Sequence, residues 1–239
     1  MRSWLLALGA GAALSASLPL QEADEYRDAR LLMVRQQIAS RLGGRNPVTD
    51  TAVLRAMETV PRHRFARPGD VDRAYSDRPL PIGHGQTISQ PYIVAAMTEM
   101  LHVVRGDVVL EIGTGSGYQA AVLAEISDSV YTIEVVEPLG RDAAVRLAEL
   151  GYGGVRTLVG DGYFGWPEHP PFDGILVTAA ASHIPPPLVE QLKPGARMVI
   201  PVGGPFQVQS LMLVEKQRDG SVIQWNMGAV RFVPLTRSE

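Results

Sequence analysis

The run Glu111-Ile112-Gly113-Thr114-Gly115-Ser116-Gly117 sets an acidic residue ahead of three alternating glycines, directly at the end of the apolar stretch Val108–Ile112. Glycines at a strand-to-helix turn permit a tight bend and let a ligand approach the backbone closely. Glu134 follows about 20 residues beyond this turn, where an open α/β fold sets a carboxylate on ribose hydroxyls. The G-x-G-x-G spacing is one residue tighter than the dinucleotide fingerprint G-x-G-x-x-G. A carboxylate at Glu111 suits the cationic amine of a methionine moiety and would repel a pyrophosphate. No lysine follows the glycines, as a phosphate-binding loop would require. Gly160-Asp161-Gly162 closes a further apolar stretch, and Asp161 is placed there either to accept from an adenine amine or to serve as a turn carboxylate. Together these features favour S-adenosylmethionine over a nicotinamide dinucleotide.

Such residues need a sheet to hold them. Apolar stretches at Val108–Ile112, Val130–Ile133, Val155–Val159, Gly174–Thr178 and Arg197–Pro201 alternate with helical patterns at Tyr118–Ile126, Gly140–Leu150 and Pro186–Leu192. That alternation predicts a mostly parallel sheet with helices on both faces. Leu211–Lys216 and Ile223–Val233 read as a closing antiparallel pair around Asp219-Gly220. Upstream, Asp28–Leu42 has helical spacing, and Asp50 is set to cap a helix over Thr51–Val60 that Pro61 ends. Periodicity vanishes from Arg62 to Gln90, a long stretch whose apolar content argues for a functional loop, and helical spacing returns at Pro91–Leu101. The chain therefore reads as one domain over 28–239: an N-terminal extension and substrate loop over 28–101, then a cofactor-binding sheet over 105–239.

Composition narrows the chemistry. The 239 residues carry a formal net charge of -3, so no basic field draws in nucleic acid, and none is expected as a partner. The chain contains no cysteine, which excludes a disulfide framework, a thiolate metal site and a cysteine nucleophile. His63, His84, His102, His169 and His183 are scattered without the i, i+4 pairing of a zinc helix, and no metal is expected. Residues 1–20 have a positive start, an apolar run from Trp4 to Ala13 and small residues after it, like a secretory signal. The run is shorter than the roughly 20 residues a bilayer span needs, so no stable membrane anchor is expected. A second reading of this segment is an upstream start, with the functional chain beginning near Met33.

Beyond these features the sequence resembles the protein-L-isoaspartate O-methyltransferase family. The resemblance rests on Val60-Pro61-Arg62-His63-Arg64-Phe65, Ala74-Tyr75-Ser76-Asp77 and the loop Leu80–Gln90 with Pro91-Tyr92. It continues through the glycine motif with Tyr118-Gln119, Gly160-Asp161-Gly162, Pro171-Phe172-Asp173, Val177-Thr178-Ala179-Ala180, Leu192-Lys193-Pro194-Gly195, Ile200-Pro201-Val202-Gly203 and Val230-Arg231-Phe232-Val233-Pro234-Leu235. The match runs from about Arg30 to Thr236. Its glycine motif is common to many methyltransferases, whereas Gly85-Gln86-Thr87-Ile88-Ser89-Gln90-Pro91 is particular and carries the substrate assignment. One departure is Val135-Val136-Glu137-Pro138, less basic than the family leads one to expect, which bears on the ribose side of the site.

The resemblance implies a Rossmann-like seven-stranded methyltransferase sheet with an N-terminal helical and loop extension over the site. It implies S-adenosylmethionine contacts at Glu111, Gly113, Gly115, Glu134, Asp161, Gly162 and Thr236, and a match of Ser89 to the family's active-site serine. Thr87, Ile88, Ser89 and Arg231 are the substrate-binding candidates. Leu80, Ile82 and Ile88, with Val230-Arg231-Phe232, are expected to hold an extended peptide. The implied partners are isoaspartyl-containing proteins and peptides, and the simplest expectation is a monomer. The cytoplasm is the expected location because S-adenosylmethionine is made there; export to the periplasm is the alternative. The implied reaction methylates an isoaspartyl α-carboxylate, already ionised at neutral pH and needing no general base. Ser89 then positions the carboxylate and is not an acyl nucleophile, since no G-x-S-x-G elbow surrounds it. From the residues alone a helix-capping serine reads as well. The rivals are a small-molecule methyltransferase, a noncatalytic binding module and a dehydrogenase, and peptide assays and S-adenosylmethionine binding separate them.

Overall fold

In a computed structural model of the chain, residues 25–41, 44–169, 171–205 and 207–237 are described. The signal-like segment over 1–20 and Leu42, the last residue of the first expected helix, lie outside them. That helix begins as α1 (Arg27–Leu32) and widens into a π-helical turn over Met33–Ile38. The wider turn brings Met33, Val34 and Ile38 onto one buried face. Asp50 caps α2 (Thr51–Thr59) as expected: its Oδ1 accepts the N–H groups of Ala52 and Val53 at 2.8 and 3.2 Å.

The stretch expected to lack periodicity holds two short 3-10 helices, Arg62–Phe65 and Pro68–Arg73, and a hairpin of β1 (Leu80–Gly83) with β2 (Gln86–Ile88). His84 and Gly85 both have positive φ, 50° and 72°, the conformation a tight two-residue hairpin turn demands. Leu80 pairs with Ile88, so both side chains share one face and enter the core, 1% and 4% exposed. This corrects the expectation that Leu80 and Ile88 grip the substrate peptide: pairing register turns them inward. Thr87, opposite Pro81, takes the other face. Buried Arg62 braces the stretch, its Nε donating to the Ala74 carbonyl at 2.7 Å and its guanidinium lying 4.8 Å from the Tyr118 ring centroid.

After α3 (Pro91–Leu101) the chain alternates as predicted. It runs through β3 (Val108–Ile112), α4 (Tyr118–Ala124), β4 (Ser129–Glu134), α5 (Glu137–Glu149) and β5 (Arg156–Val159). It then continues through β6 (Phe172–Val177), α6 (Pro186–Glu190), β7 (Leu192–Val202), β8 (Gln209–Lys216) and β9 (Val222–Val230). The seven-stranded sheet has the order β5-β4-β3-β6-β7-β8-β9. Its strands are parallel from β5 to β7, and β8 and β9 close it antiparallel. Alternate residues feed two cores. Val109, Val130 and Leu176 pack with α2, α3 and α4, whereas Leu110, Ile133 and Ile175 pack with Leu188 of α6. From β3 the chain winds outward to β4 and β5, then returns to β6 on the other side of β3. That reversal opens a crevice at the carboxyl ends of the strands, where open α/β sheets bind ligands.

Candidate active site

The crevice is floored by the turn after β3. Gly113 has φ +99°, and a Cβ placed on it would lie 2.4 Å from Thr178 Oγ1. The Thr178 hydroxyl is fixed against the turn, 2.7 Å from the Gly113 carbonyl and 3.0 Å from that of Ile112. Gly115 (φ +53°) and Gly117 (φ +90°) continue the left-handed path. An alanine at Gly113 therefore meets both backbone strain and a rigid neighbour. Gly113→Ala is expected to destabilise the protein by about 1–3 kcal/mol, read as a loss of about 2–4 °C in thermal midpoint for each kcal/mol. An unchanged midpoint would show that the turn relaxes freely.

Glu134, at the end of β4, binds this turn directly. One carboxylate oxygen accepts the Gly115 N–H at 2.7 Å and the other the Val136 N–H at 2.9 Å. A small crevice opens beside it at the carboxyl ends of the strands. Gly113, Gly115, Glu134, Gly162 and Thr236 line it together with Thr178. Gly162 is confined from behind, since a Cβ there would stand 2.3 Å from Ile112 Cγ2. Asp161 accepts the Tyr163 N–H at 3.0 Å and pairs with Arg237 at 2.7 Å, with the arginine stacked over the Tyr163 ring at 3.9 Å. The C-terminal segment is thus strapped across one wall of the crevice, held also by the Leu235 N–H on the Ala180 carbonyl at 2.8 Å.

Behind the glycine turn lies Glu111, fully buried on β3. Its Oε2 accepts from the Thr132 hydroxyl at 2.6 Å, and Thr114 and Thr132 are linked at 2.7 Å. Its Oε1 is buried without a hydrogen-bond partner. Burial pushes the carboxyl up to about 8; the nearby Glu134 charge raises it further, and the Thr132 hydrogen bond opposes both. Glu111 shares a small recess with Ser89, Gly113, Gly115 and Thr178. A buried acceptor in such a place is costly to leave unmatched.

Adjoining the recess is a second groove lined by Thr87, Ser89, Gln90, Ile93, Val230, Arg231 and Phe232. Ser89 sits where the two spaces meet, between the hairpin and α3. The capping role open to it on sequence grounds is not the one it takes. The N-cap of α3 is Gln90, and the Tyr92 N–H in the first turn is accepted by Asp77 at 3.1 Å. No hydrogen bond reaches the Ser89 hydroxyl from a histidine or carboxylate among the described residues: His63 contacts Tyr75, His183 contacts Tyr163 and Ser182, and His102 contacts Arg197. Activation as an acyl nucleophile has no base here.

The structure thus brings Thr87, Ser89 and Arg231 to one groove and the glycines, Glu134, Gly162 and Thr236 to one crevice, with Glu111 between them. Ile88 only borders the recess and points into the core. Thr178 touches all three spaces and was not singled out from sequence; its place at the carboxyl end of β6, beside the reversal in strand order, was the available signal. Among the described residues no group of three or more His, Asp and Glu converges as a metal site.

The protein-L-isoaspartate(D-aspartate) O-methyltransferase family model matches residues 33–239. A protein-L-isoaspartate O-methyltransferase of Nitrosospira multiformis is 59% identical over 235 residues, covering 98% of this chain and 98% of that protein. One from a Polaromonas species is 62% identical over 190 residues, 80% of this chain and 90% of its own. Among solved structures, a protein-L-isoaspartate O-methyltransferase superposes with a TM-score of 0.75 at 25% identity, over 87% of this chain and 65% of that one. Another, from Plasmodium falciparum in complex with S-adenosyl-L-homocysteine, gives 0.73 at 24% identity over 89% and 99%.

Proposed function

The chain belongs to the protein-L-isoaspartate(D-aspartate) O-methyltransferase family, and on that footing we propose how its crevice and groove move a methyl group from S-adenosylmethionine to the α-carboxylate of an isoaspartyl residue. The single observation that supports the reading most is Ser89, neither capping α3 nor paired with a base, at the junction of the Glu111 recess and the Arg231 groove.

Residues in and around the crevice and the recess supply a partner for each group of the cosubstrate. Glu134 is set for the ribose hydroxyls, Asp161 for the adenine amine, and the unmatched Oε1 of Glu111 for the methionine ammonium. Gly113, Gly115 and Gly162 leave room for close approach, and Thr236 closes the wall. Bound there, S-adenosylmethionine supplies an electrophilic methyl carbon on a sulfonium. The protein has little bond chemistry of its own to perform. Ser89 donates a hydrogen bond to one carboxylate oxygen of the substrate and leaves the other aimed into the recess; Thr87 and Phe232 narrow the groove and exclude water. Arg231, exposed at the groove, meets negative charge flanking the isoaspartyl residue. The ester product has a far better leaving group than the carboxylate. The following backbone nitrogen displaces methoxide, which leaves as methanol, and the succinimide formed hydrolyses in part to a normal aspartyl linkage.

The enzyme is proposed to act as a monomer in the cytoplasm on isoaspartyl-containing proteins and peptides. As a separate matter of structure, no helix among the described residues is long and apolar enough to cross a membrane.

The test uses methyl-labelled S-adenosylmethionine with two peptides that differ only in an isoaspartyl or a normal aspartyl linkage. Base-labile label on the isoaspartyl peptide alone is the expected result. Label on both, or on neither while S-adenosyl-L-homocysteine still binds, would assign the groove to another acceptor.

A further inference from the structure

Ser89 lies in the groove between the hairpin and helix α3, which must settle its placement jointly. Ile88 before it is locked in the β1–β2 ladder opposite Leu80. After it come Gln90 and Pro91, and Pro91 has no N–H with which to anchor the first turn of α3. Both of the next available donors go to a single carboxylate. Asp77 Oδ2 accepts Gln90 Nε2 at 2.8 Å, and Oδ1 accepts the Tyr92 N–H at 3.1 Å. The same Oδ2 pairs with Arg45 Nη2 at 2.7 Å, with side chains 18% exposed for Asp77 and 29% for Arg45. The Arg45 guanidinium in turn lies 4.1 Å from the centroid of the Tyr92 ring, whose hydroxyl donates to the Asn46 carbonyl at 2.8 Å. Asp77 is itself set on a tight turn, in which the Arg78 N–H reaches the Ser76 carbonyl at 2.7 Å.

We propose that Asp77, held by Arg45, is a positioning residue for methyl transfer: it fixes Gln90 and Tyr92 and so sets the Ser89 hydroxyl against the substrate carboxylate. The inference rests on the Ser89 assignment above. Its physical content is a division of labour. A helix start needs a capping acceptor, and a serine just before it commonly supplies one. Here the remote carboxylate satisfies the helix, and Ser89 keeps its hydroxyl for the substrate. A charged acceptor with three donors is also a stiff clamp, because charge-assisted hydrogen bonds are shorter and stronger than neutral ones.

The Asp77→Asn substitution keeps the shape but turns an amide donor toward the Gln90 and Arg45 donors or loses the charge that orders them. It is expected to lower kcat/KM for an isoaspartyl peptide about tenfold or more, while the Kd of S-adenosyl-L-homocysteine stays within about twofold. Arg45→Met, a milder change at a partly exposed partner, is expected to cost about three- to fivefold with the same selectivity. A purely structural role would also lower activity, so the deciding readout is the double-mutant cycle. If Asp77 works through Ser89, Asp77→Asn in a Ser89→Ala background costs no more than about a further twofold. Multiplying losses, or cosubstrate affinity falling in step with turnover, would overturn the proposal. Should Asp77→Asn fail to fold, the same cycle with Arg45→Met decides. Loss of activity in Ser89→Ala with full activity in both Asp77→Asn and Arg45→Met would remove the positioning role and leave the Ser89 reading intact. Full activity in Ser89→Ala would instead remove that reading, and this one with it.

Discussion

Ser89→Ala is expected to lower kcat/KM toward an isoaspartyl peptide by roughly 10–100-fold and to leave S-adenosyl-L-homocysteine affinity unchanged. The magnitude is that of one hydrogen bond to a charged group, about 1.5–3 kcal/mol, converted to rate. The substrate oxygen is anionic at every pH of interest, so the serine contributes orientation and no proton transfer, and the variant's pH profile should parallel that of the wild type. Two structural facts make the effect specific. Ser89 lines both the groove and the recess, so a misaligned carboxylate loses its line to the methyl carbon. The helix does not use Ser89 as its cap, since Gln90 holds that position and Asp77 accepts the first-turn N–H, so the substitution should leave thermal stability nearly unchanged. Methyl ester formation under saturating cosubstrate, together with calorimetry, separates the terms. Activity within about twofold of the wild type would reject Ser89 as the orienting group.

The site was legible in sequence where a local signal existed and opaque where a distant chain segment supplied the partner. Strand β3 was readable to the residue because a strand buried on both faces appears as a near-continuous apolar run, broken here only by Glu111, and a glycine turn marks its end. The places of the glycine turn, Glu134 and Asp161 at strand ends were readable, and of these the turn and Glu134 line the crevice whereas Asp161 stands beside it, bonded to Tyr163 and Arg237. The hairpin of β1 and β2 was not visible: strands over Leu80–Gly83 and Gln86–Ile88 are too short to display a period of two. Missing it made Leu80 and Ile88 look like substrate contacts when their pairing turns them into the core. Asp77 was quoted only as part of a motif, because its partners Arg45, Gln90 and Tyr92 lie 32, 13 and 15 residues away in the chain. Arg237 on Asp161, separated by 76 residues, was hidden for the same reason. For Glu111 the chemistry of the side chain was evident, whereas its complete burial depended on strand order, which no periodicity encodes.

That burial is expected to make cosubstrate binding pH-dependent. With its carboxyl pushed up to about 8 by burial, Glu111 is mostly protonated in the free enzyme at neutral pH. An ammonium group entering the recess pairs with the carboxylate and so expels the proton. Between pH 6 and 7.5, below the titration of both groups, the Kd of S-adenosyl-L-homocysteine should fall by up to about tenfold per pH unit, since each unit of pH offsets about 1.4 kcal/mol of deprotonation. Calorimetry in buffers of different ionisation enthalpy should register the released proton. The linkage to folding has the opposite sign. A carboxyl whose value in the folded state lies above its unfolded 4.5 binds the extra proton only when folded. Its contribution to stability is therefore full below that unfolded value and lost as pH rises toward and through 8. Glu111→Gln removes both effects. The variant should bind S-adenosyl-L-homocysteine weakly with a flat profile, the gap to wild type widening with pH, while the ligand-free variant gains stability relative to wild type in alkali. The Oε1 that finds no hydrogen-bond partner in the fold is the atom the ammonium would meet, whereas the stability trend follows from burial. Parallel pH profiles for the two proteins would mean that the ammonium is held elsewhere and that Glu111 serves only the Thr132 and Thr114 network.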